Sequence, residues 1–309
     1  MTTSIEDAPI KSKESKPSWS ERIVEGLIKV AGVSVIIIVT LIFLFLVKEG
    51  FPTFIEVTPG ELLSARWYPI EDRYGILPLL FGSLLVTAGA VIIAVPLGLV
   101  TAIYLGEIAP TWQREVLKPV IEVLAGIPSI VLGFFGWIAL APTIQKLGAP
   151  TGLTGFTGSL ILAYMSLPTI VSITEDALYS VPKEYRDGSL AIGATRWQTI
   201  WHVVVPAARS GIVIAVMLGI GRAIGETMAV MLVTGNAANI PSGAGFFFQP
   251  VRTMTATIAA EMGEVAQGSL HYSVLFGIGI ILFAITFLIN SLASWLVGGN
   301  GGRRRGGQL

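Results

Sequence analysis

Six stretches of this chain are long, apolar and almost free of formal charge, and that pattern decides which solvent the chain folds in. They cover residues 30–47, 74–106, 123–145, 147–174, 211–234 and 272–297. Only the fifth contains ionisable side chains of the Asp, Glu, Lys or Arg type, namely Arg222 and Glu226. A helix needs about 20 apolar residues to cross a bilayer core. Hydrophobic residues make up 53% of the chain and charged ones 13%, whereas soluble domains carry roughly a quarter charged. The expected fold is therefore an all-α integral membrane protein of about six transmembrane helices. Pro96, Pro128 and Pro168 fall inside spans two, three and four. Membrane helices tolerate proline where neighbouring groups satisfy the freed carbonyls.

Six spans place both chain ends on one side, and the basic residues choose that side. With the ends inside, the inner segments hold Lys11, Lys13, Lys16, Arg22, Lys29, Arg114, Lys118, Lys183, Arg186, Arg196, Arg209, Arg303, Arg304 and Arg305. The outer segments hold only Lys48, Arg66, Arg73, Lys146 and Arg252. Both termini are expected in the cytoplasm. Residues 1–22 read as a disordered polar tail. Residues 23–76 read as the first helix, retained rather than cleaved, with a long outer loop. Residues 77–298 read as a five-helix core, and 299–309 as a flexible basic tail. In the second long outer loop, Phe246, Phe247 and Phe248 suit the membrane interface.

Other chemistries lack their residues. There is no cysteine, and the two histidines, His202 and His271, are far apart. Zero net charge does not suggest nucleic acid as a partner. No Gly-rich phosphate loop with its Lys-Ser/Thr ending occurs, and no nucleophile–base set stands out. The chain reads as a non-enzyme without its own cofactor. No internal repeat favours an inverted-repeat carrier.

The inner loop at about 177–208 has its own helical pattern. Pro182 suits a helix start, Gly193 a left-handed helix end, and Trp197, Ile200 and Trp201 recur at helical spacing. This is a short helix, a glycine turn and a second helix. The loop resembles that of ABC importer permeases: Glu-Ala-Ala, three residues, Gly, nine residues, then Ile-x-Leu-Pro. Asp187, Gly188 and Ser189 stand for Glu-Ala-Ala, Gly193 for the glycine, and Val203, Val205 and Pro206 for the close. The resemblance implies a type I ABC importer permease fold in a bacterial inner membrane. It also implies a coupling helix that docks on an ATP-binding subunit, with Leu190, Ile192 and Ala194 as its compact apolar face.

Span five carries the second signal. Arginine near the bilayer centre costs about 2.5–3.5 kcal/mol on insertion scales. Glu226 is four residues from Arg222, one turn along a continuous helix, so an ion pair is expected. Ala215, Gly219 and Ala223 are spaced by four, as are Gly221, Gly225 and Ala229, and such stripes let helices approach closely. Arginine forks onto oxyanions through parallel hydrogen bonds. The segment from Gly221 to Val230 resembles the PstC family of phosphate importer permeases. That resemblance implies Arg222 and Glu226 on the phosphate pathway and a PstA-like second permease. It also implies a PstB-like ATPase dimer carrying ATP and Mg, and a PstS-like phosphate-binding protein. The PstA family, and permeases for sulfate or molybdate, remain open at this point, as does an ion-coupled transporter that needs no ATPase.

Overall fold

The computed structural model describes residues 19–301. Most of the expected N-terminal tail, and the basic run Arg303–Arg305, lie outside the described residues. The chain divides into two units, Met1–Leu46 and Val47–Leu309.

The described part of the first unit is a single helix, the larger part of α1 (Trp19–Gly50). Its first turn includes residues assigned above to the tail, so helix begins at Trp19 rather than near residue 23. Polar groups here bond within the helix. The Ser34 hydroxyl donates to the Val30 carbonyl at 2.6 Å and the Thr40 hydroxyl to that of Ile36 at 2.8 Å. Hydrocarbon offers hydroxyls no other acceptor.

The second unit begins with a loop that is folded rather than open. It contains α2 (Thr53–Glu56), α3 (Pro59–Leu62) and a two-stranded hairpin, β1 (Trp67–Tyr68) and β2 (Arg73–Tyr74). Trp67 pairs with Tyr74 and Tyr68 with Arg73. The rest is helical. α4 is Leu77–Ile103 and continues as a π turn, Tyr104–Ile108. Then come α5 (Thr111–Ala125), α6 (Ser129–Phe135), a π turn at Gly136–Leu140, α7 (Ala141–Lys146) and α8 (Gly155–Tyr179). α9 (Lys183–Ala191) and α10 (Arg196–Thr199) lie between α8 and α11, in the segment at about 177–208. A π turn, Ile200–Val204, leads from α10 into α11 (Val205–Gly225), which is followed by α12 (Met228–Val233), α13 (Met254–Glu261) and α14 (Leu270–Gly301).

Six helical runs among the described residues are long and apolar enough to span a membrane, matching the expected number. Their edges differ from the sequence reading. Span three opens at Ser129, because residues 123–125 complete α5 and Pro128 precedes the first turn of α6 instead of lying inside the span. Span four opens at Gly155; residues 147–154 make a turn through Gly148, at φ +106°. Residues 299–301 belong to α14 rather than to a tail.

The loop after α1 is part of the core. Val57, Leu62, Trp67 and Tyr74 are buried with Leu79, Met254, Val274, Leu275 and Ile278. Glu261 fastens it further: it accepts from Trp67 Nε1 at 3.1 Å and lies 2.9 Å from Arg252 Nη1 and 2.8 Å from His271 Nε2. The loop thus packs with the later helices of the second unit. Burial, helped by the hydrogen bond to Asp72, pushes the Tyr74 hydroxyl up to about 12.

α8 is the central helix. A Cβ on Gly98 of α4 or Gly219 of α11 would sit 2.7 Å from a side-chain carbon of Ile170, so both helices close on that isoleucine only because glycine is there. The Ser166 hydroxyl donates to the Gly219 carbonyl at 3.3 Å. Ala215, Gly219 and Ala223 are all buried, which makes their stripe the packing face of α11.

Candidate functional site

The fifth span is not continuous. α11 ends at Gly225, and Glu226 turns into extended backbone at φ −69°, ψ 133°. Contacts on both sides hold the break: a second short helix, α12, starts two residues later, and its first N–H groups need acceptors. Glu226 supplies one, since its Oε1 accepts from the Ala229 N–H at 3.3 Å. Its own carbonyl accepts from the Thr255 hydroxyl at 2.8 Å, joining the break to the first turn of α13. The expected Arg222–Glu226 pair is therefore not formed. Among the described residues Arg222 has no acidic partner within 4.0 Å.

Arg222 occupies the last turn of α11 and is exposed on the surface of this chain. The helix end carries partial negative charge, which favours a cation there. Gly221 and Gly225 flank it, and a Cβ on either would meet nothing within 4 Å. The second small-residue stripe therefore behaves unlike the first: its two glycines leave open surface, while Ala229 is buried on α12.

Behind the break lies a polar pocket between helices. Ser83, Thr87, Glu226, Thr253 and Thr255 line it with Val86, Leu162, Ala223, Ile224 and Val230. Its volume of about 10 Å³ is near that of one water. Ser83 Oγ accepts from the Met254 N–H at 2.9 Å, and the hydroxyls of Thr253 and Thr255 are 3.2 Å apart. Irregular backbone at membrane depth is tolerated where protein buries it or a cavity adjoins it; here both hold. The arrangement offers an anion one accessible guanidinium at the end of α11; Glu226 and the hydroxyls line a separate polar pocket at the break.

The segment at about 177–208 forms the expected short helix, glycine turn and second helix, and adds detail. Pro182 precedes α9, and Gly193 follows it at φ +91°, a left-handed value costly for any residue with a Cβ. Thr195 and Gln198 form a reciprocal capping box that starts α10. Ser189 is buried, its hydroxyl 3.0 Å from that of Thr199, which braces α9 against α10. Leu190 and Ile192 are exposed, Ile192 by 87%, and Asp187, Gly188 and Gly193 are exposed beside them. Ala194 is half-buried, and Pro206 sits in the first turn of α11 beyond the π turn. His202 Nδ1 lies 3.1 Å from the Gln198 carbonyl, a local contact within the helix.

Two ionic groups near this loop went unread in the sequence. Arg186 reaches Glu107 at 2.6 Å. Glu175, only 1% exposed, lies 2.7 Å from Arg114 and 3.1 Å from Lys118 on α5. Desolvation alone would lower the Lys118 ammonium, but Glu175 and Asp176 outweigh it and hold it above its ordinary value of 10.5. Flanking charge of this kind looks like ordinary positive-inside bias until the fold pairs it.

Residues 94–300 match the model of the family described as binding-protein-dependent transport system inner membrane component. The chain is 43% identical over 261 residues to a probable ABC transporter permease, YqgH, of Bacillus subtilis, covering 82% of this chain and 84% of that one. It is 41% identical over 256 residues to the phosphate transport system permease PstC of Mesorhizobium japonicum, covering 76% and 77%. Among solved structures it resembles a chain of the bacterial alginate ABC transporter, with a TM-score of 0.59, 14% identity, and coverage of 89% and 96%.

Proposed function

Because this chain belongs to the binding-protein-dependent transport system inner membrane component family, we propose that it is a permease subunit of an ATP-driven importer and that its substrate is inorganic phosphate. It is a multi-pass protein of the inner membrane. Its similarity to phosphate permeases over three quarters of its length supports the substrate. The observation in the fold that carries the reading is Arg222: a guanidinium in a membrane span, beside a helix break, on a face its own chain leaves uncovered. An exposed arginine at that depth calls for a water-filled route or a second protein surface, and a PstA-like sister permease supplies both by closing a pathway over this face.

In that pathway Arg222 takes phosphate transiently through parallel N–H···O bonds. Glu226, held back by its bonds to α12 and α13, repels the anion and keeps the contact short. A PstS-like binding protein delivers phosphate from outside, and both termini lie in the cytoplasm. The exposed Leu190–Gly193 surface docks on a PstB-like ATPase dimer, where ATP and Mg act.

The test is phosphate uptake by Arg222→Gln in the assembled complex. Losing a charge-assisted contact of about 1.5–3 kcal/mol should lower uptake by roughly 10- to 100-fold. Uptake at the parent rate removes Arg222 from the pathway. Hydrolysis stimulated by sulfate or molybdate, and not by phosphate, reassigns the substrate.

A further inference from the structure

One side chain of the coupling loop bridges it to two membrane helices at once. Arg186 lies on α9, the first helix of the loop. Its Nη2 donates to Glu107 Oε1 at 2.6 Å and its Nε to Glu107 Oε2 at 3.2 Å, a two-pronged contact. The same guanidinium donates from Nη1 to the Val181 carbonyl at 2.6 Å and from Nη2 to the Leu178 carbonyl at 2.9 Å. Glu107 belongs to the π turn that ends α4, and Leu178 to the last turn of α8.

Three elements therefore meet at one planar group that cannot lose its charge. Glu107 is 10% exposed and Arg186 20%, so water competes weakly for either partner. A surface ion pair would be worth little. A shielded, bidentate pair that also caps a helix end fixes geometry as well as binding. The rest of α9 has little else to hold it, since only Ser189 of that helix is buried.

We propose that Arg186 is the positioning residue through which movement of the coupling helix reaches α4 and α8. This rests on the reading that the loop docks on an ATPase. When the ATPase shifts α9, the guanidinium carries α4, through Glu107, and α8, through the Leu178 carbonyl, along with it. Without the clamp α9 still meets the ATPase, but its displacement is spent in the loop. The π turn at Tyr104–Ile108 suits such a point, because an interrupted i→i−4 ladder is where a helix yields.

The experiment uses the complete transporter, with sister permease, ATPase and binding protein, in proteoliposomes. Phosphate transported per ATP hydrolysed is measured for the parent, Arg186→Gln and Glu107→Gln. The second variant keeps both carbonyl bonds of Arg186 and so guards against simple misfolding. Both variants should retain the ATPase on purification, while phosphate moved per ATP falls about tenfold, within the range of typical coupling energies. A lower yield of complex with an unchanged ratio overturns the clamp and leaves a purely structural pair. A parent complex whose hydrolysis ignores phosphate-loaded binding protein overturns the functional reading, and this proposal with it.

Discussion

Arg222 and Glu175 are both charges inside apolar helices, and they are stabilised in opposite ways. Arg222 stays accessible at a helix end, where peptide dipoles offset part of its cost and no carboxylate neutralises it. Glu175 is sealed in and relies on Arg114 and Lys118, each about one-third exposed. The asymmetry is measurable. Removing both cations with Arg114→Met and Lys118→Met strands a buried carboxylate, which should cost about 3–5 kcal/mol. Glu175→Leu leaves two cations that can turn to water or headgroups, and should cost clearly less. Thermal unfolding in detergent, compared across the two variants, checks the order; equal losses would place the pair in solvent. The pH dependence follows from Lys118. Its folded-state pKa is raised above 10.5, so its stabilisation is complete below that value and is lost only as pH rises through the higher one. The difference between parent and Lys118→Met should therefore stay flat from about pH 6 to 9.

At the scale of the element, α9, Gly193 and α10 show what a single chain reveals about itself. The proline start, the glycine stop and the tryptophan spacing are local signals, and the loop formed where they stood. The capping box at Thr195 and Gln198 was equally local, and its Thr-x-x-Gln spacing was there to be read. Span five is different. Its apolar period continues through Glu226, and nothing within a few residues says that the helix stops there. The stop depends on Thr255, 29 residues on, which takes the Glu226 carbonyl, and on α12 requiring an acceptor at its start. Non-local contacts of that kind also hid the Arg186–Glu107 pair, separated by 79 residues. The loop itself yields a prediction. Gly193→Val must leave φ +91° or bear a strain of about 1–2 kcal/mol, so α9 swings relative to α10 and Ile192 is misplaced. Much less ATPase should co-purify with the variant, while the detergent-solubilised chain alone remains helical by circular dichroism. Full ATPase retention would take the docking role away from this turn.

For the whole molecule, orientation decides whether any of this chemistry can occur, because ATP is available on one side only. α9 and α10 precede the N-terminus of α11, whereas Gly263 follows α12 and α13 beyond its C-terminus, so α9 and Gly263 lie at opposite ends of that span. The bias of basic residues is the ground for the proposal that α9 lies inside. The chain contains no cysteine, so single cysteines report location without background. Lys183 and Gly263 are both exposed, and a Cβ at 263 meets nothing within 4 Å, so neither Lys183→Cys nor Gly263→Cys should disturb packing. A membrane-impermeant maleimide added to intact spheroplasts should label position 263 at once and position 183 only after lysis. The reverse pattern would put the coupling loop outside, away from nucleotide, and no arrangement of Arg222, Glu226 or Arg186 could then serve ATP-driven import.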